Sequence, residues 1–313
     1  MPSYPPRTPS DKRQLPLFKD ETCLPTGKHH ISYSELHDWV DCSYRHKLKH
    51  VDQIVMPDEG GSVHTAYGSA IHDAIETFLK TKKMPTGEET IKEFHKNLKE
   101  LSLSEFTKAL KIIEESPEFM TSIPEILEQL PGWMAETFPN WQVVAAEYDL
   151  FEPIERQTNI SFKGFIDAVI KTPREPTKKL IKEYAALGTV PPQEYDYHVL
   201  DWKSCGWGWT VERQREFTTQ LQLILYKHFF CKLMGLDLSD AKCGFVLAKR
   251  VVPKERKPFD RLQLITVSVG PVAVEKGLAS MHSMLGSVRR GFAVKNRRSC
   301  EPFCVYRGTK HCT

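Results

Sequence analysis

The residues that could do chemistry sit closest together in "YHVLDWKSCG", Tyr197 to Gly206, where an aspartate and a lysine flank a tryptophan inside an otherwise apolar, β-rich run. Strand side chains alternate faces, so Val199, Asp201 and Lys203 share one face while Leu200 and Trp202 take the other. A buried ion pair made only for stability is a poor explanation, because desolvating two charges costs about as much as their attraction returns. A functional site is the better account. A second strand-like run, "GFIDAV", supplies Asp167 and carries Gly164, which permits close backbone approach. Two strand carboxylates facing a shared edge make a hard oxygen site suited to Mg²⁺ or Mn²⁺. His72 in "GSAIHDAIE" is a candidate third ligand on a helix expected to begin after Gly68, although a lone helical histidine is more often a packed or surface residue.

The elements that must position these groups follow from the sequence pattern. Residues 1–30 contain six prolines and many charges with no sustained period, and read as a mobile tail. From "ISYSELHDWVDCSYRHKLKHV" to about residue 140 the chain is mostly helical, with Ser32 or Ser34 as the first cap and Leu36, Trp39 and Val40 on one face. At Trp141 the texture changes. "WQVVAAEYDLF", "ISFKGFIDAVIK" and "EYDYHVLDWKS" read as strands, the last two separated by a basic insertion with a short helix. "RQREFTTQLQLILYKHFFCKLMG" is an apolar helix ending near Gly235, followed by strands in "AKCGFVLAKRVV" and "DRLQLITVSV" and a last helix to about Arg290. Strands flanked by helices argue for an α/β sandwich in one domain over 31–313: a helical part to 140, a sheet with the apolar helix over 141–270, and a C-terminal helix with a cysteine cluster over 271–313.

Taken in order, "GSAIHDAIE", "GFIDAVI", "VLDWKS" and "QLILY" resemble the RecB-like branch of the PD-(D/E)XK nuclease superfamily across roughly residues 31–313. The head of the domain, "ISYSELHDWVDCSYRHKL", is similar to that branch's opening helix. The resemblance implies a restriction-endonuclease-like core with a central mixed sheet flanked by helices and an N-terminal helical region. It implies that His72, Asp167, Asp201 and the Trp202 backbone carbonyl hold the catalytic Mg²⁺ or Mn²⁺, and that Lys203 orients or activates water. Gln222 and Tyr226 match the branch's Q-x-x-x-Y helix motif and would position DNA and the lysine; their i,i+4 spacing places both on one helical face. Tyr226 alone could equally be core, whereas Gln222 is hard to explain that way. The activity implied is a metal-dependent DNA exonuclease preferring single strands or free ends, in recombination, repair or replication. Its competitors are a structure-selective endonuclease and a noncatalytic DNA-binding scaffold.

Eight cysteines in a chain of 313 residues with no export signal do not read as a disulfide framework. Cys300, Cys304 and Cys312, with three and seven residues between them, suit a soft-metal site lacking one ligand. The family resemblance offers Cys42 as the fourth ligand of a [4Fe-4S] cluster. The family usually spaces the trio more tightly, which leaves Zn²⁺ as an alternative.

Net charge is only +3, so any polyanion-binding surface must come from local clusters: "YRHKLKH", "AKRVVPKERKP" and "VRRGFAVKNRRS". Trp207 and Trp209, in a glycine-flanked loop after the Asp201 strand, could stack on unpaired bases or pack beneath the loop. Gln14, Leu15, Leu17 and Phe18 in "QLPLF" resemble the peptide by which bacterial replication and repair proteins bind the sliding clamp. No run is long enough to span a bilayer. The expectation is a soluble protein of the cytoplasm, in a bacterial or virus-infected bacterial cell, with DNA and not a membrane as its partner.

Overall fold

The computed structural model describes residues 23–56, 61–157, 159–300 and 304–313, so the QLPLF segment lies outside the described residues. A six-stranded mixed sheet runs through the centre: β1 (His30–Ser32), β2 (Gln142–Pro153), β3 (Ser161–Arg174), β4 (Glu194–Cys205), β5 (Ala241–Lys249) and β6 (Leu262–Val267). The order is β1-β3-β4-β5-β6, with β2 also paired to β3. β2, β3 and β4 are successively antiparallel, β4 and β5 are parallel, and β6 returns antiparallel to β5.

Ten helices accompany the sheet among the described residues: α1 (Tyr33–Asp41), α2 (Ser43–His46), α3 (Val63–Thr81), α4 (Gly87–Lys99), α5 (Leu103–Glu115), α6 (Glu118–Thr137), α7 (Lys178–Ala186), α8 (Val211–Arg215), α9 (Phe217–Met234) and α10 (Pro271–Arg289). Strand alternation divides the interior into two cores. On one face Ile31, Ile166, Val169 and Val199 pack with Leu36 of α1, Leu223 and Phe229 of α9, and Met284 of α10. On the other, Ala168, Ile170, Leu200 and Trp202 pack with Ile71 and Ile75 of α3 and with Ile126 and Trp133 of α6. Trp202 is almost fully enclosed, with its ring 6.4 Å from that of Trp133. Removing so large a buried side chain costs about 3–5 kcal/mol.

Four local features depart from the sequence expectations. Structure reaches back before residue 30: Leu24 is buried in the α9-side core, held by a turn in which Gly27 N–H donates to Leu24 O at 2.8 Å. A short strand, β1, precedes α1, because Ile31 has a core site to fill beside β3. Helix α3 begins at Val63 and not after Gly68, since Ser62 and Thr65 form a reciprocal capping box. Gly68 lies inside that helix, where a Cβ would come within 3.1 Å of Ser204 Oγ, so its lack of a side chain lets α3 settle onto β4. Finally, the apolar helix is broken at Glu216, whose extended backbone separates α8 from α9; α9 ends, as the sequence predicts, at a left-handed Gly235.

Candidate active site

The site is made by a fork in the sheet. β4 pairs with β3 from Arg174↔Glu194 to Ala168↔Leu200 and then parts from it, while β1 takes the other end of β3, Ser161 to Lys163. β2 occupies the opposite edge of β3 from Ser161 to Lys171, so β1 and β4 must share one edge. Residues 164–167 of that edge therefore have no strand partner, and Asp167 stands where the fork opens. Its Oδ2 accepts the Trp202 N–H at 2.7 Å, satisfying a β4 amide that the parting of the strands would otherwise leave unpaired.

Four further side chains converge there. Asp201 is fully buried, its Oδ1 accepting from Gln222 Nε2 at 2.6 Å and its Oδ2 lying 2.7 Å from Lys203 Nζ. From α3, His72 places Nδ1 3.5 Å from Asp167 Oδ2 and lies beside the Trp202 backbone. His72, Asp167, Asp201, Lys203 and the Trp202 backbone are thus brought together from three elements distant in sequence.

Electrostatics at the fork favour an added cation. Burial, followed by the charge of Asp201, pushes the Asp167 carboxyl well above the usual carboxylate range, and Glu147 adds to the effect. Burial lowers the pKa of His72 and favours the neutral imidazole that a metal requires. Burial also opposes the charge on Lys203, but Asp201 and Asp167 outweigh it and the ammonium is retained to higher pH. Two crowded carboxylates, a neutral imidazole and a backbone carbonyl are a donor set that fits a hard divalent ion. Among the described residues no three His, Cys, Asp or Glu side chains already stand in a closed ligand cluster; in this arrangement Lys203 partners Asp201.

Helix α9 explains why Gln222 and Tyr226 are spaced as they are. Both are buried, and their contacts run to the fork itself and not to Lys203. Gln222 holds Asp201, and lies 3.4 Å from Tyr226 Oη. The Tyr226 ring lies so close over Gly164 that a Cβ there would come within 2.6 Å of Cε1, which sets its hydroxyl near the Phe165 backbone at the unpaired edge. Burial pushes the Tyr226 hydroxyl up to about 12, so it stays a neutral phenol.

Sequence reasoning missed two residues at the fork. Glu147 of β2 is flanked by the pairs Tyr148↔Ile166 and Ala146↔Ala168, which set it opposite Asp167. It adopts a left-handed backbone (φ 54°), costly for a residue with a Cβ, and burial followed by Glu76 pushes its carboxyl up. An acid in the middle of the strand "VVAAEYDLF" was the available signal. Phe165, two residues before Asp167, is 47% exposed.

The loop tryptophans part company. Trp207 is 70% exposed, whereas Trp209 turns inward, 4.9 Å from the Phe245 ring, with the Arg213 guanidinium 4.5 Å over its other side. Stacking on bases is therefore open to Trp207, and packing beneath the loop is what Trp209 does. The basic clusters are also partly neutralised within the chain. Arg45 pairs with Asp38 and Asp41, Arg256 with Glu125 and Asp260, and buried Arg261 with Glu125.

The C-terminal cysteine segment packs against the first helices. Cys42 breaks the helix between α1 and α2 with an extended backbone, and its Sγ accepts the Asn296 N–H at 3.3 Å. Cys300 is held above the usual thiol range by burial and then by the charges of Cys304, Cys42 and Cys312, although among the described residues the four do not form a group spaced to hold a metal. Cys304 and Cys312 pack with Leu48 and Tyr306, whose hydroxyl donates to Ile54 O at 2.7 Å. Cys231 and Cys243 are different: burial pushes their thiols up to about 11 and about 12, as expected of inert core residues.

A mixed sheet between helical layers, opened at a fork that gathers Asp167, Asp201 and Lys203, defines a nuclease-type α/β fold. Residues 30–181 match the model of the PD-(D/E)XK nuclease superfamily. The match stops short of β4 and so does not include Asp201 or Lys203. Among solved structures, the chain is similar to a candidate exonuclease from Eubacterium rectale, at 11% identity and a TM-score of 0.45 over 89% of this chain and 88% of that one. No curated protein matches. No helix among the described residues is long and apolar enough to cross a membrane.

Proposed function

We propose that this chain is a divalent-metal-dependent deoxyribonuclease working from free ends, with a preference for single strands, in recombination, repair or replication. The observation that carries the reading is the convergence of Asp167, Asp201, His72 and Lys203 where β3 and β4 part. His72, Asp167, Asp201 and the Trp202 carbonyl would hold Mg²⁺ or Mn²⁺. Once bound, the ion would lower the pKa of water and neutralise charge on the scissile phosphate.

The chain's own groups do the rest. Lys203, kept as an ammonium, orients the attacking water and offsets the charge that builds on the phosphoryl oxygens. Water oxygen bonds to phosphorus as the bond from phosphorus to the 3′ oxygen breaks; the departing 3′ oxygen takes a proton, leaving a 3′ hydroxyl and a 5′ phosphate. Gln222 fixes Asp201, and Tyr226 fixes the β3 edge by packing over Gly164. Arg213 lies near enough to be felt by the Lys203 ammonium and adds positive charge beside the fork. Cys42, Cys300, Cys304 and Cys312 would hold a [4Fe-4S] cluster, with a single Zn²⁺ as the alternative, tying the C-terminal segment to the first helices.

Linear and circular single-stranded DNA of the same sequence, incubated with Mn²⁺, test the mode of action. An end-dependent enzyme degrades the linear form and spares the circle. Rapid loss of the circle makes it an endonuclease, and no loss of either contradicts the reading.

A further inference from the structure

We propose that Phe165 and Lys163 form a seat for an unpaired nucleobase beside the scissile phosphate, and that this seat selects single-stranded over duplex DNA. The inference rests on the nuclease reading above and adds to it the residues that set strand preference. Phe162 and Ile166 point into the α9-side core, so strand alternation turns Lys163 and Phe165 to the opposite face; the alternation slips at Asp167, since Ala168 lies in the α3-side core and Val169 in the α9-side one. Phe165 precedes Asp167 by two residues, about 7 Å along the strand. It belongs to neither core and is 47% exposed.

The ring is exposed but its base is fixed. The preceding Gly164 is packed directly under the Tyr226 ring, which fixes the backbone on which Phe165 stands. Lys163 Nζ stands 5.6 Å from the Phe165 ring centroid. Across the pairing with β2, Phe151 lies opposite Lys163, and His30 of β1 meets Phe151 edge-on at 5.9 Å. Lys163 and Lys28 both lie near enough to His30 to act with burial in lowering its pKa.

A strip of alternating aromatic and basic groups thus leads away from Asp167. Rings offer stacking faces and cations offer phosphate contacts, the combination that binds single-stranded nucleic acid. Asp149, opposite Phe165 on β2, repels phosphate from that side and leaves the β1 side, with Lys163 and His30, for the backbone. Bases in a duplex are already stacked on one another and present only edges in the grooves, so the seat discriminates between the two forms.

The test measures binding of a fluorescein-labelled oligothymidylate and of a matched duplex to the full chain carrying Lys203→Ala to prevent cleavage. Adding Phe165→Ala is expected to weaken single-strand binding about ten-fold, to leave duplex binding within about two-fold, and to keep the thermal midpoint; Phe165→Tyr should restore affinity. A single abasic site in the oligonucleotide should weaken binding to the Phe165 protein at one position and have no effect there on the alanine variant. Equal single-strand affinities with and without Phe165, or equal losses for both DNA forms, would overturn the proposal. If the wild type shows Lys203-dependent cleavage while Phe165→Ala leaves strand preference untouched, this inference alone fails. Absence of Lys203-dependent cleavage on any DNA removes the nuclease reading and the seat with it.

Discussion

Gln222 and Asp201 meet at the contact between α9 and β4, the side-chain amide donating to the carboxylate at 2.6 Å with both residues buried. Replacing Gln222 with Leu leaves part of a buried carboxylate without a donor. The expected result is a fall in kcat of about 100-fold with KM for DNA nearly unchanged, since Gln222 is enclosed behind the strand. A rise in KM with kcat preserved would mean that Gln222 works by touching DNA.

Gly164 and Tyr226 are coupled in the same way by packing. A methyl group at position 164 has to displace the Tyr226 ring, so Gly164→Ala should cost about 1–3 kcal/mol and lower activity by shifting the fork. Tyr226→Leu in the Gly164→Ala background should recover part of that stability. Denaturant unfolding of the two single variants and the double variant measures the coupling, and strictly additive losses would show that the two do not touch.

How much of this was legible beforehand depends on what each residue does. Asp201 and Lys203 stood out because charges in an apolar strand are expensive, and strand alternation correctly gave them one face. His72 was ambiguous locally, since its role comes from α3 lying against the fork, a tertiary fact that helical periodicity does not contain. Gly164 was read as allowing close approach, but only the structure shows that the approaching group is Tyr226. Glu147 carries a local signal, an acid inside an apolar strand, but its place opposite Asp167 is set by the β2–β3 register; Phe165 carries none, because the fork leaves part of β3 unpaired and β pairing at that range has no local signature. The start of α3 was misplaced because Gly68 was taken as a boundary, whereas the cap at Ser62 and Thr65 decides it.

The Asp167 carboxyl makes apo stability depend on pH in a defined direction. Its folded-state pKa lies well above the unfolded value of about 3.9, chiefly through burial and then through Asp201. Its stabilising contribution is complete below that unfolded value and is lost as pH rises through the folded one. Thermal midpoints in EDTA should therefore fall across that window more steeply for the wild type than for Asp167→Asn. Mn²⁺ should raise the wild-type midpoint at neutral pH and do little for the variant. Parallel pH profiles for the two proteins would contradict this.

The four cysteines predict a bound metal and a tied C-terminus. A chain purified anaerobically should carry about four iron atoms with matching sulfide, and Cys42→Ser or Cys312→Ser should lose most of it and speed proteolysis after residue 290. About one zinc per chain and no iron would establish the alternative centre.

The central claim is that Asp201 and Lys203 perform metal-dependent phosphodiester hydrolysis. The most direct measurement is cleavage of an end-labelled single strand with Mn²⁺ by the wild type, Asp201→Asn and Lys203→Ala, with thermal midpoints taken alongside. The account predicts 5′-phosphate products from the wild type only when the metal is present, and a loss of at least about 1000-fold in both folded variants. Cleavage by Lys203→Ala at the wild-type rate, or wild-type cleavage undiminished in EDTA, would contradict it.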